Sequence, residues 1–402
     1  PHSAIRPRRA KAVENVAPSA ANRMSQFIAW PMPPPAHAPL IAAMMGLVLS
    51  FMNSVETGLA PNGPVAQKLK KLGEVAKTTG QRAAKAGKRY QIIASPATEA
   101  MARAIEASQP DRFHFHESSW DKFPDGTDKI VVGGFSPRNL IAGEHVLMLC
   151  SFHDNDVTLS QFQVMVMLLQ GFIKSLTIVL PFYPTGTMER VVLEGEVATA
   201  NTYAQLFSAL PSCGSPTRLV VYDLHTLQNR FYLHGNTIAS LQTTIPCLLP
   251  YLEKSGVDAV AFPDDGAAKR FKHMFDADRY AIIVCGKVRD GDKRVVTVQD
   301  GDATGRRVVV VDDLVQTGGT LYECGAKLLE LGAASVSAFV AHGVFPRDAW
   351  RRFARGGDRD VFSKFYVTNS IPTTTDRLPK NDVFEVIDLT DRLVGDLLRA
   401  PT

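Results

Sequence analysis

The run VVVVDDLVQTGGT at residues 308–320 constrains the fold of this chain more than any other segment. Four consecutive valines predict a strand buried on both faces, as in parallel sheets that helices cover. Asp312 and Asp313 follow at the carboxyl end of this strand, where ligands bind in open α/β sheets. A turn of small residues then leads into an amphipathic stretch that predicts a helix. The segment therefore predicts a strand, a loop and a helix around a ligand.

The loop itself has the chemistry of an anion site. Glycine lets backbone N–H groups approach a ligand closely, threonine adds hydroxyl donors, and a helix N-terminus adds partial positive charge. These groups suit a phosphate monoester, and they come from Thr317, Gly318, Gly319 and Thr320. Asp312 and Asp313 are too close to a phosphate to contact it favourably, so they suit sugar hydroxyls or a bridging Mg²⁺. The alternative is an ordinary strand–turn–helix junction.

The start of the chain differs in character from the rest. Residues 1–35 predict an extended, proline-rich tail, and residues 61–87 a basic linker. Between them, residues 36–60 predict a transmembrane or hydrophobic helix, because Ala38 to Val55 contain no charged residue and approach the roughly 20 residues that a membrane span needs. The alternative is an amphipathic or buried helix packed on the protein's own core.

Beyond residue 88 the pattern is α/β, with short apolar strands alternating with helical stretches. Such strands favour mainly parallel sheets covered on both faces. We predict two similar α/β halves, at residues 88–234 and 235–402. The predicted strands are 90–95, 129–134, 145–152, 175–182, 218–224, 257–263, 280–287, 306–313 and 335–343.

Composition limits the class of protein. The formal net charge of +4 argues against nucleic acid as the main partner. The five scattered cysteines indicate buried thiols in a reducing compartment, not disulfides or zinc ligands. The first stretch is rich in Arg, Ala and Ser and poor in acids, as around the cleavage site of an organellar transit peptide. We therefore expect a chloroplast or mitochondrial location, with a cytoplasmic one as the alternative.

Several further runs, in collinear order from about Tyr90 to Leu398, resemble the plant-type, second-class ribose-phosphate diphosphokinases. The runs are WDKFPDG, LPFYPTGTMER, GEVATA, YDLHTLQNRFY, AFPDDGAAKRF, KVRDGDKRVV, VVVVDDLVQTGGTL and AHGVFP. The resemblance covers about three quarters of the chain. It implies two phosphoribosyltransferase-like domains, Mg²⁺ as cofactor, a homo-oligomer, and transfer of diphosphate from ATP to ribose 5-phosphate. Simple phosphoribosyltransferases share the 308–320 signature but have only one such domain.

The resemblance also implies roles for individual residues. Asp223, His225 and Asp264 match metal ligands, and His225 is also matched as a catalytic residue. Lys287 and Arg289 match cations of a flexible loop that neutralise the transferring phosphates. A surface loop is the alternative for that charged segment, and a helix N-cap, for which Asp265 is a candidate, is the alternative for the acids near residue 264.

For ATP binding the resemblance implies Phe123 and Asp125, contributed by a neighbouring subunit, although a plain turn is a competing interpretation. First-class relatives carry an Arg-Gln pair where this chain has Thr187 and Met188. Among the residues of that loop, only Arg190 is retained as a candidate ATP contact.

Three hypotheses of function follow. The first is an active diphosphokinase. The second is a structural subunit of an organellar membrane complex, anchored by residues 36–60. The third is a pseudoenzyme that binds phosphoribosyl ligands without turnover.

Overall fold

The structure is a computed structural model that describes residues 88–290 and 293–399, and side chains there except at 287–295. The predicted tail, hydrophobic segment and basic linker at residues 1–35, 36–60 and 61–87 lie outside this range. Within it, no helix has the length and apolar character that crossing a membrane requires.

Short strands and helices alternate along the described chain, as the apolar runs predict. The strands are β1 (Tyr90–Ala94), β2 (Phe113–Phe115), β3 (Ser119–Lys122), β4 (Asp128–Val131), β5 (His145–Leu149), β6 (Ser175–Val179), β7 (Thr217–Tyr222), β8 (Thr237–Gln242), β9 (Ala259–Phe262), β10 (Ala281–Asp290), β11 (Lys293–Asp300), β12 (Arg307–Val315), β13 (Ser335–Gly343), β14 (Phe365–Thr368) and β15 (Phe384–Ile387). The α-helices are α1 (Glu99–Ser108), α2 (Asn155–Gln170), α3 (Thr199–Ser208), α4 (Ile245–Ser255), α5 (Asp265–Phe271), α6 (Gly319–Glu330), α7 (Pro372–Thr375) and α8 (Thr390–Leu398).

The strands form two large sheets, as predicted for an α/β fold. The first has six strands in the order β2-β1-β5-β6-β7-β8, and every described pairing in it is parallel. The second has seven strands in the order β11-β10-β9-β12-β13-β14-β15, parallel except for the β10–β11 hairpin. Apolar clusters cover both faces of each sheet. Because parallel strands share one direction, the segments that follow them gather at one edge of each sheet.

The strand predicted at 129–134 is a partial exception. The structure has a strand only at Asp128–Val131, and it pairs with β3 in a separate two-stranded hairpin. Its exposure explains the difference, because its residues alternate between partly buried and exposed, and such a strand does not fit inside a sheet that is covered on both faces.

Two elements cross the division predicted between residues 234 and 235. Strand β8 pairs with β7 and so extends the first sheet to Gln242. Helix α8 packs with α1 over the same sheet, where Leu393 and Leu397 join the cluster that contains Ile92. The chain therefore returns to its first half after completing the second sheet.

Candidate functional site

The loop between β12 and α6 has the strand, turn and helix order that the sequence predicts. Strand β12 ends at Val315, two residues beyond the predicted end, and Asp312 and Asp313 lie within it. Gly318 is the N-cap of α6 and has a left-handed backbone with φ of 70°. A Cβ at Gly318 would lie 2.3 Å from the Phe353 ring, whereas a Cβ at Gly319 would meet nothing within 4 Å. Gly318 is therefore required for packing, and Gly319 leaves open space at the helix N-terminus.

The two aspartates of β12 have opposite electrostatic states. The Asp313 N–H donates to Asp312 Oδ1 at 2.9 Å. Burial, together with the charge of Asp313, raises the pKa of Asp312 well above its usual range, and the charge of Asp264 adds to this effect. Burial would also raise the pKa of Asp313, but the hydrogen bond from His225 and the charges of His225 and Arg270 bring it below its usual value. The second aspartate is therefore the ionised one.

His225 and Arg270 form a cationic cluster on Asp313. His225 Nδ1 lies 2.6 Å from Asp313 Oδ2. Arg270 Nη1 donates to the backbone oxygen of His225 at 3.0 Å and lies 3.4 Å from the same Asp313 oxygen. The hydrogen bond to Asp313 raises the pKa of His225. Because the His225 side chain is still 41% exposed, its other ring nitrogen can meet a ligand.

Asp223 has a structural environment. It is 2% exposed and has a positive φ of 38°. Its Oδ2 accepts hydrogen bonds from the Thr244 N–H at 2.8 Å and from the Thr244 hydroxyl at 2.5 Å. Its Oδ1 faces Arg270 Nη2 at 3.9 Å. These contacts occupy the carboxylate that the sequence assigned to a metal.

Asp264 is exposed at the start of α5, where its Oδ1 accepts a hydrogen bond from the Ala267 N–H at 2.9 Å. The helix N-cap predicted in this acidic pair therefore exists, but Asp264 forms it and not Asp265, which instead pairs with Lys269. A cap uses one carboxylate oxygen, so the other oxygen of Asp264 can serve a ligand.

The described residues contain no group of three or more His, Cys, Asp or Glu side chains placed to hold a metal ion. Mg²⁺ commonly binds proteins through one or two carboxylates and takes its remaining ligands from substrate phosphates and water. Asp264 and Asp312 fit that pattern, because a cation beside them would offset the like charges that raise the pKa of Asp312.

Lys287 and Arg289 lie on the backbone of β10, where Lys287 pairs with Val296 and Arg289 with Arg294 of β11. The segment predicted as a flexible loop is thus largely a paired hairpin. Val288 stands between Lys287 and Arg289, and Val296 and Val298 alternate with polar residues on the returning strand. This strand pattern was concealed by the charge-rich composition.

The predicted ATP contacts differ in their relation to the His225 cluster: Phe123 and Asp125 make no described contact with it, whereas Arg190 adjoins it through Glu189. Phe123 is 47% exposed in the turn between β3 and β4, where Asp125 accepts hydrogen bonds from the Thr127 N–H and hydroxyl. Arg190 is exposed and lies 3.4 Å from Glu189. No contact between these residues and His225 is found in the described part of the chain.

Three residues that the sequence analysis did not select belong to the site. Arg270 and Thr244 hold Asp313 and Asp223 as described above, and the nearly buried Glu189 places its charge close enough to raise the pKa of His225. Arg270 lies within the run AFPDDGAAKRF, six positions after Asp264, but nothing in that spacing predicts its contact with residue 313.

A cavity of about 520 Å³ lies where segments at the carboxyl ends of β5, β6, β12, β13 and β14 meet. Leu314 of β12 and Gln316 of the β12–α6 loop line it, as do Arg347 and Arg377, and no carboxylate does. None of the predicted phosphate, metal or ATP ligands is on its wall. The cavity therefore adjoins the predicted site without containing it.

Comparison with known proteins was made by sequence and by structure. No family model matches the chain. Ribose-phosphate pyrophosphokinase 4 of Oryza sativa is 41% identical over 323 residues, covering 79% of this chain and 98% of the relative. The chloroplastic ribose-phosphate pyrophosphokinase 3 of Arabidopsis thaliana is 41% identical over 330 residues, covering 80% and 79%. The mitochondrial ribose-phosphate pyrophosphokinase 3 of Spinacia oleracea is 42% identical over 317 residues, covering 77% of each chain.

Among solved structures, phosphoribosylpyrophosphate synthetase from Mycobacterium smegmatis superposes with a TM-score of 0.61 at 24% identity. The match covers 77% of this chain and 98% of that one. At this identity the likeness concerns the fold.

Proposed function

Because this chain belongs to the ribose-phosphate pyrophosphokinase family, we propose that it transfers diphosphate from ATP to ribose 5-phosphate, giving phosphoribosyl pyrophosphate and AMP. The observation that carries the proposal is the 41% identity across nearly the whole length of the rice relative. The β12–α6 loop and the His225–Asp313 pair supply the chemistry that such a reaction needs.

In this reaction the C1 hydroxyl oxygen of ribose 5-phosphate attacks the β-phosphorus of ATP. The bond from that phosphorus to the oxygen bridging the α- and β-phosphates breaks, AMP leaves, and the hydroxyl proton is released. Catalysis of phosphoryl transfer rests on positioning and charge stabilisation. We assign the 5′-phosphate to Thr317–Thr320 and the ribose hydroxyls to Asp312 and Asp313.

We assign His225, Lys287 and Arg289 to the transferring phosphates. His225, which the resemblance matches to a metal ligand, has its Nδ1 against Asp313. This contact leaves Nε2 for a ligand, so Nε2 would bind the metal when the ring is neutral or donate to a phosphate oxygen when the ring is protonated. Asp223 is assigned the structural task of holding Thr244 and Arg270.

Mg²⁺ bound with the nucleotide would neutralise phosphate charge, and Asp264 and Asp312 are the residues that would hold it. Phe123, Asp125 and Arg190 remain proposed ATP contacts. The separation of Phe123 and Asp125 from the His225 cluster is what a homo-oligomer requires if a neighbouring subunit contributes them. The names of the plant relatives support an organellar location.

The test is formation of AMP from ATP, ribose 5-phosphate and Mg²⁺. We expect turnover by the wild type and a fall of at least about 100-fold in kcat for Lys287→Ala, the usual scale for losing one charge-stabilising group. Lys269→Ala, which removes an exposed lysine on α5, is the matched control and should retain activity. Folded wild-type protein that forms no AMP would overturn the proposal. Calorimetry with both substrates would then identify a pseudoenzyme that binds without turnover.

The membrane hypothesis rests on the uncharged run from Ala38 to Val55 and is compatible with activity. A membrane anchor predicts that detergent, and not salt, extracts the protein from organelle membranes. Extraction by salt alone as a soluble oligomer would contradict the anchor and the structural-subunit hypothesis that depends on it.

A further inference from the structure

The β12–α6 loop has no cation of its own. From Asp312 to Glu323 the sequence contains no Lys or Arg. A helix N-terminus supplies only a partial positive charge, equivalent to roughly half an elementary charge. A phosphate monoester near neutral pH carries between one and two negative charges. A cation from elsewhere in the fold is therefore expected at this loop.

Among the described side chains, Arg359 is a cation that the fold brings there. Its Nη1 donates a hydrogen bond to the backbone oxygen of Thr317 at 2.6 Å. The guanidinium also lies 5.5 Å from the ring centre of Tyr322, in the first turn of α6, and 5.9 Å from that of Phe353. Phe353 is the ring against which Gly318 packs. One hydrogen bond and two rings thus fix Arg359 against the loop.

The neighbouring carboxylates are in contact with other arginines. Arg352 pairs with Asp358, and Arg355 pairs with Asp360 at 2.8 Å. The charge of Arg359 acts on Asp358 and helps to lower its pKa, but within the described residues no carboxylate is in ion-pair contact with Arg359. The turn is therefore held by its own salt bridges, while its third arginine faces the loop.

We propose that Arg359 is the positioning cation of the 5′-phosphate subsite. By holding the Thr317 carbonyl, it directs that peptide oxygen away from the anion and fixes the entry of the loop into α6. The planar guanidinium group carries a positive charge and further N–H donors, and both favour binding of the phosphate. This inference deepens the proposed function and rests on it for the identity of the substrate.

The test compares Arg359→Gln with Arg359→Lys, using Arg352→Gln as the matched control from the same turn. For Arg359→Gln we expect KM for ribose 5-phosphate to rise by about tenfold or more, the scale of one charge-assisted hydrogen bond. KM for ATP should change by less than about twofold. Lysine restores the positive charge but lacks the planar set of N–H donors, so Arg359→Lys should raise KM for ribose 5-phosphate by less than Arg359→Gln. Arg352→Gln should leave both constants near wild type.

Direct binding makes the result independent of turnover. Calorimetry with ribose 5-phosphate should show the same loss for Arg359→Gln, and no difference between the two proteins for ribose, which lacks the phosphate. The inference is overturned if Arg359→Gln binds ribose 5-phosphate like the wild type, or if both KM values rise together. An inactive wild type whose phosphate-dependent binding still needs Arg359 would instead overturn only the proposed activity. If Arg359→Gln does not fold, Arg359→Lys alone decides, because a purely structural arginine would lose affinity for both substrates.

Discussion

At the scale of single residues, the contact between His225 and Asp313 determines the charge of the proposed site. Asp313 has its pKa lowered and His225 has its pKa raised, so the ionised forms of both coexist over a wide pH range. Arg270 adds a second positive charge beside Asp313. Two cations therefore lie beside one ionised carboxylate at this site, and His225 is the more exposed of the two.

This pair predicts a definite pH dependence. The pKa of His225 is raised from 6.5, so its contribution to stability is full below pH 6.5 and is lost as pH rises through the native pKa. The pKa of Asp313 is lowered from 3.8, so its contribution is present above pH 3.8 and is lost as pH falls through the native value. Asp313→Asn should therefore cost most between these limits, by about 1 kcal/mol given the exposure of His225.

Urea unfolding of the wild type and of Asp313→Asn across pH 4 to 9 checks this expectation, and NMR of the imidazole protons follows His225 itself. The His225 resonance, identified by its absence from His225→Gln, should titrate above 6.5 in the wild type and at a lower pH in Asp313→Asn. A cost of Asp313→Asn that is the same at every pH would show that charge plays no part.

Much of the loop could be predicted from sequence because its residues are contiguous. Strand, acids, glycines and helix follow one another from residue 308, and local chemistry predicts their arrangement. The partners of His225 could not be predicted in the same way. Residues 225 and 313 are 88 positions apart, and Thr244 reaches Asp223 from the start of another helix. Only the folding of two sheets against each other makes those contacts.

At the scale of elements, the two glycines at the start of α6 have different tasks. Gly318→Ala places a Cβ against Phe353 at a positive φ, so we expect it to cost about 1–3 kcal/mol of stability. Gly319→Ala adds a methyl group in open space and should hardly change stability. The same methyl group would occupy the space that a phosphate needs, so KM for ribose 5-phosphate should rise.

Urea unfolding and steady-state kinetics on both variants separate these effects. We expect Gly318→Ala to lose stability and Gly319→Ala to bind ribose 5-phosphate less well. If Gly319→Ala retains the wild-type KM, the phosphate does not lie at this helix N-terminus.

Burial explains most of the difference between the strands that were predicted and those that were missed. Strands such as β5, β9 and β13 are apolar runs buried along nearly their whole length, and the sequence predicts each of them. Strand β8 was missed because only its first residue is fully buried. Strand β15 is buried at its two ends only. Strand β14 is the exception, because all four of its residues are buried and it was still missed; a run of four residues carries no periodicity that distinguishes it from a loop.

At the scale of the whole molecule, helix α8 joins the end of the described chain to its beginning. Leu393 and Leu397 pack beside α1, and the hydroxyl of Tyr222 on β7 donates to the buried carboxylate of Asp396 at 3.0 Å. The amphipathic pattern of α8 can be read locally, but the surface that it covers cannot. The first sheet therefore depends on a helix from the far end of the chain.

Leu393→Ala tests this dependence. Leu393 is fully buried, so truncation should cost about 2–5 kcal/mol. The control is Leu206→Ala on α3, which is 46% exposed and should change stability by no more than about 0.5 kcal/mol. Hydrogen exchange should show faster exchange in β1 for Leu393→Ala, although β1 is far from the substitution in sequence. Unchanged protection of β1 would show that α8 is dispensable to the first sheet.

The position of α8 in the sequence also means that, in the cell, the first sheet is synthesised well before the helix that covers it. The first sheet ends at Gln242 and α8 ends at Leu398, which is 398 − 242 = 156 positions later, and ribosomes add about 5–20 residues per second. The first sheet is thus fully synthesised roughly 8 to 31 seconds before α8 is complete. Among the described helices, only α1 covers that apolar face during the interval, and the nascent chain is a substrate for chaperones at the ribosome.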